Sequence, residues 1–97
     1  GKTCLVSMAP GGKWINEYTL RWKADVYLIL GKAKSGIMTF SARARNEKTR
    51  VNEIARKTAE QFGGTGGGHY VAAGFFVAGS SDLSDVVCAF LENLEKH

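Results

Sequence analysis

The sequence is poor in the residues that hydrolytic metal centres are built from. It has two histidines and three aspartates (Asp25, Asp82 and Asp85) in 97 residues, scattered rather than clustered. Two-metal hydrolysis needs such side chains grouped to hold the ions and generate hydroxide, so the chain is expected to have no hydrolytic activity and no cofactor of its own. Cysteine is equally sparse: Cys4 and Cys88 stand at opposite ends without CxxC spacing, which excludes a zinc ribbon or dithiol redox motif. One disulfide remains open to them, but buried free thiols in a reducing cytoplasm are the expectation. A single proline, with 44% hydrophobic and 23% charged residues, excludes collagen, mucin stalks and intrinsic disorder. The uncharged run Gly63–Ser81 is broken by glycines and by His69, which excludes a bilayer-spanning helix there; no membrane partner is expected. The start at Gly1 carries neither Met nor a signal pattern, so the chain reads as one domain, residues 1–97, of a longer protein.

What is present is unevenly distributed. The net charge is +4, yet residues 1–57 hold 12 basic and four acidic side chains, whereas residues 58–97 hold one and five. A half with net +8 suits a polyanion, although basic segments are more often simply solvated surface. Alternation over Lys2–Met8 predicts a first strand, ended by Ala9-Pro10-Gly11-Gly12. Trp14, Ile15, Tyr18 and Trp22 recur at helical spacing, with Thr19 and Leu20 keeping a strand reading open. Ala24–Leu30 is apolar apart from Asp25 and reads as a central strand buried on both faces. Gly31–Gly36 is expected to be a loop, and Ile37–Ala44 a strand with Met38, Phe40, Ala42 and Ala44 on one side. Thr39, Ser41, Arg43 and Arg45 then share the other.

Val51, Ile54, Ala55, Thr58, Ala59 and Phe62 form a helical stripe closed by Gly63-Gly64. A last helix starts near Asp82, a candidate N-cap, with Leu83, Val86, Val87, Phe90, Leu91 and Leu94 as its apolar stripe. Strand character resumes only at Gly74–Val77. The expected architecture is an α/β (α+β) single small domain, a mixed sheet of about four to five strands covered by helices.

The strongest anomaly is that six of the 12 glycines lie between Gly63 and Gly74. Backbone without side chains lets amide N–H groups approach an anion closely, so the segment is a phosphate cradle in principle and a flexible loop as readily. The P-loop pattern would need lysine where His69 stands, and GxGxxG finds no register here.

The longer string Gly66-Gly67-Gly68-His69-Tyr70-Val71-Ala72-Ala73-Gly74 resembles the GGGH-x-x-A-A-G signature of the DHH-associated domain, the substrate-binding partner of DHH-family phosphoesterases. Ser41-Ala42-Arg43 matches the Ser-x-Arg that this family carries on the strand before its amphipathic helix. The match is strong from Asp25 to Val77, weaker before Ala24, and architectural over the last helix. Thr65 interrupts the glycine run, a form similar to the archaeal-type RecJ relatives, which leans the expected substrate towards single-stranded nucleic acid.

The resemblance implies that Gly66, Gly67 and Gly68 supply backbone donors, His69 a side-chain contact, and Ser41 with Arg43 a clamp on phosphate. The guanidinium fork and the hydroxyl two residues away suit that role. It also implies a partner, an N-terminal DHH catalytic domain carrying Mn or Mg, and a short oligonucleotide or nucleotide phosphodiester as ligand. No DHH triplet occurs in this chain. Lys48, Arg50, Arg56 and Lys57 read as solvated surface, and so does Arg45. Trp14, Tyr18 and Trp22 read as core rather than a base-stacking platform, with Tyr70 the better stacking candidate. Two other readings stay open: a tRNA-binding appendage like the C-terminal domain of alanyl-tRNA synthetases, and a module handling cyclic dinucleotides.

Overall fold

Period-two burial along Ile37–Ala44 organises the molecule, because one side of that strand faces two helices and the other faces outward. The computed structural model describes residues 4–7, 25–34 and 36–96. The expected helix around Trp14–Trp22 lies outside the described residues. Five strands, β1 (Cys4–Ser7), β2 (Val26–Lys34), β3 (Ile37–Ala44), β4 (Thr65–Gly68) and β5 (Ala72–Ala78), form one sheet in the order β1-β2-β3-β5-β4. Only β1 and β2 pair in parallel; the other neighbours are antiparallel. Helix α1 (Val51–Gln61) joins β3 to β4, and α2 (Leu83–Lys96) follows β5.

Register brings Val26, Leu28, Phe40, Ala42, Ala73, Phe75 and Val77 onto the same face, where they form one core with both helices. Phe40 stacks on Phe75 at 4.8 Å between ring centroids, and Phe75 on Phe90 of α2 at 6.0 Å. The helices are further joined where Asn93 Nδ2 donates to Thr58 Oγ1 at 3.0 Å. The stripe expected on α1 is buried from Val51 to Ala59. Its end is a Schellman motif: the Gly64 N–H reaches the Ala59 carbonyl and the Gly63 N–H that of Glu60, with Gly63 at φ +71°. Asp82 caps α2, its Oδ1 accepting the Asp85 N–H at 3.2 Å.

Tyr27 and Ile29, on the opposite face of β2, are only 1% and 3% exposed, so β2 is covered on both sides as its apolar run required. That opposite face opens progressively across β3, β5 and β4.

Three expectations need correction. Residues Gly31–Lys34 continue β2, with a register irregularity between Leu30 and Ala33, and the chain reverses at Gly36 with φ +77°. The glycine tract is no loop: Thr65–Gly68 is a strand, and β5 begins at Ala72 rather than Gly74. Both cysteines are free, but Cys88 is exposed on α2; only Cys4 is partly buried.

Candidate functional site

Antiparallel pairing converts the scattered sequence candidates into transverse rows on the open face. Arg43 pairs with Ala72, whose backbone exchanges both hydrogen bonds with His69, so Arg43, Ala72 and His69 form one row. One step along, Ser41 lies opposite Gly74, and Gly74 opposite Gly67. The next row is Thr39, Phe76 and Thr65. Ser41, Arg43, Gly67 and His69 are therefore brought together around the two small residues of β5 between them. Strand spacing puts the backbones of Arg43 and His69 about 10 Å apart. An anion above Ala72 lies between the two side chains.

Arg43 is half-buried and its Nη1 donates to the Ala42 carbonyl at 3.3 Å, which leaves most of the guanidinium's five donors for other acceptors. His69 and Tyr70 are exposed, with ring centroids 5.7 Å apart. Tyr70 and Val71 form the two-residue turn of the β4–β5 hairpin. The Tyr70 carbonyl accepts the Val51 N–H at 3.0 Å, and the Val71 carbonyl accepts the Ala44 N–H at 2.9 Å. Arg50 at the start of α1 lies over the Tyr70 ring, 4.6 Å from its centroid. The sequence placed Arg50 on plain solvated surface; nothing in its spacing signals this contact, which depends on the hairpin meeting the helix end.

The three glycines of the signature do different things. Because His69 and Ala72 are a hydrogen-bonded pair, alternation makes Gly67 and Gly74 one as well, and turns the Gly66 and Gly68 amides outward along the edge of the sheet. Gly67 thus gives its N–H to the ladder, and two of the three expected donors remain directed away from β5. A Cβ on Gly66 would press on Phe75 and on the Ala55 carbonyl of α1, and Gly68 has φ +140°. Gly64 approaches the Phe76 carbonyl so closely that no side chain fits. Packing of the edge strand under α1 accounts for these three.

Burial raises the Cys4 thiol from 9.0 to about 11, which makes it inert. Among the described residues no three His, Cys, Asp or Glu side chains come close enough to hold a metal ion. Nor is any described helix long and apolar enough to cross a membrane.

Comparison with solved structures shows the same fold in proteins of different kinds. The C-Ala domain of Aquifex aeolicus alanyl-tRNA synthetase superposes with a TM-score of 0.69 at 20% identity, covering 95% of this chain and 88% of that one. The pGpG-specific phosphodiesterase PggH of Vibrio cholerae gives 0.63 at 16% identity, and an uncharacterized protein from Helicobacter pylori G27 gives 0.61 at 26%. This chain is covered to 99% and 97% in those two, but spans only 34% and 26% of their lengths. No curated protein matches by sequence. The family model for the DHHA1 domain matches residues 10–96, nearly the whole chain, and with the GGGH and Ser-x-Arg segments meeting on one sheet face, the protein belongs to the DHHA1 domain family.

Proposed function

We propose that this domain binds the phosphodiester of a short or single-stranded nucleic acid, or of a dinucleotide, for a DHH-type catalytic domain that supplies Mn or Mg and performs the hydrolysis. The observation that carries this reading is the row Arg43–Ala72–His69. A permanently charged fork and an imidazole flank a small residue on an open face, an arrangement that suits an anion spanning two strands. Ser41 adds a hydroxyl beside Arg43, and the outward amides of Gly66 and Gly68 add donors along the adjacent edge. The likeness to PggH, whose substrate is a dinucleotide, agrees in scale with a site this small.

Titration with fluorescent single-stranded oligonucleotides and dinucleotides at low salt tests it. Arg43→Ala and His69→Ala should each weaken binding about tenfold, the loss expected for a charge-assisted contact. Unchanged affinity in both variants overturns the assignment.

The C-Ala likeness favours a second reading, a tRNA-binding appendage, because it covers nearly all of both chains. Competition between tRNA and a short single strand separates the two: only the appendage reading expects tRNA to win while Arg43→Ala leaves its binding intact.

A further inference from the structure

Two glycines of the signature have no structural explanation. A Cβ on Gly67 would meet nothing within 4 Å, and one on Gly74 only the Phe40 carbonyl at 3.5 Å, an ordinary contact. Neither has positive φ. Glycine weakens a strand interior, so where neither conformation nor packing calls for it, the remaining reason is close approach of something from outside. The two residues are directly opposed across β4 and β5, and with Ser41 they make a strip about 10 Å long that carries one small side chain.

The strip is the floor of a shallow groove of about 440 Å³, rimmed by Thr39, Phe76 and Thr65. That volume falls within the usual range for small-molecule sites. Phe76 is 41% exposed, whereas Phe40, Phe75 and Phe90 are at most 4% exposed. On the other side of the floor, one row away or about 6.8 Å, stand Arg43 and His69. This step is comparable to the separation of a base from its own phosphate.

We propose that the groove over Gly67 and Gly74 seats a nucleobase, its plane against the bare backbone and its edge or face against Phe76, while the phosphate of the same nucleotide sits on the Arg43–His69 row. The inference rests on the phosphodiester reading above and adds a base subsite to it. A side chain at residue 67 or 74 would lift the ring off the floor without disturbing the fold. Phe76 supplies the stacking surface, which is tolerant of base identity because every base has a π face. The hydroxyls of Ser41 and Thr65 lie at the margins of the ring.

Affinities for a 5′-phosphorylated dinucleotide and for its abasic counterpart, measured on the whole chain, decide the matter. The wild type should bind the base-bearing probe more tightly by about tenfold or more. Gly74→Ala and Gly67→Ala should keep or raise the melting temperature, lose that advantage, and bind the abasic probe as the wild type does. Phe76→Ala should lose it as well, and Phe76→Trp should retain it. Equal binding of both probes by the wild type, or an undiminished base advantage in both glycine variants, overturns the base seat and leaves the phosphate row standing. No binding of either probe by the wild type overturns the phosphodiester reading and the seat with it.

Discussion

The Arg50 guanidinium sits 4.6 Å from the centre of the Tyr70 ring, and the Tyr70 carbonyl accepts the N–H of Val51, the residue after Arg50. The tip of the β4–β5 hairpin is thus tied twice to the first turn of α1, by a cation–π contact and by a backbone hydrogen bond. His69 immediately precedes this tie, which fixes where its ring is presented.

Loss of that cation–π contact should be measurable as stability. Arg50→Ala should cost about 0.5–1 kcal/mol, the usual size for an exposed pair. Urea unfolding of Arg50→Ala, Tyr70→Leu and the double variant should give non-additive losses; strict additivity would show the contact to be energetically silent.

The glycines of the edge strand should divide sharply. Gly64→Ala drives a methyl into the Phe76 carbonyl and should cost at least about 1–3 kcal/mol as overpacking. Gly67→Ala meets open space and should stabilise by roughly 0.4–1 kcal/mol through the unfolded chain. Thermal unfolding of the two variants side by side checks the contrast, and similar losses in both would contradict it.

Cys4 and Cys88 should differ in reactivity and in pH response. Exposed Cys88 should be alkylated first at pH 8, with Cys4 labelled only on unfolding. The folded state holds the Cys4 proton up to about pH 11, whereas the unfolded thiol releases it near 9.0. Between those values the native state binds more protons, so the contribution of Cys4 to stability is complete below pH 9 and declines as pH rises towards 11. A Cys4→Ala variant should lose that part of the alkaline decline in urea titrations.

Salt dependence separates a phosphate contact from general surface charge. Removal of one phosphate contact lowers the slope of log affinity against log salt by about 0.7 for a single strand. Arg43→Ala should show that reduction and Lys57→Ala, exposed on α1, should show none. Equal slopes for Arg43→Ala and wild type would remove Arg43 from the phosphate.

Much of this architecture was legible where side chains carry a period. The alternation of Met38, Phe40 and Ala42 against Thr39, Ser41 and Arg43 gave β3 with both faces correctly assigned. Val51 to Ala59 and the Asp82 cap placed the two helices. Legibility failed at Thr65–Gly68, because a strand of glycines has no side chains to alternate; only its ladder to β5 makes it one. For the same reason Gly66 and Gly67 look identical in sequence, although one is wedged under Ala55 and the other is open to solvent. The stripe on α2 overstated its contact: Leu91 is 37% exposed, since α1 and the sheet cover a narrower arc of that helix than its apolar residues span. The grouping of Ser41 with Arg43 and of the glycines with His69 came from the family resemblance, and the register then set them side by side.

β4 is the outermost strand, four residues long and joined to the sheet through β5 alone. With hardly any side chain to anchor it, its ladder amides should be the first in the sheet to exchange with deuterium, by local opening well below the global unfolding threshold. The part of the molecule best suited to close on a ligand is also the part that can most readily let one go.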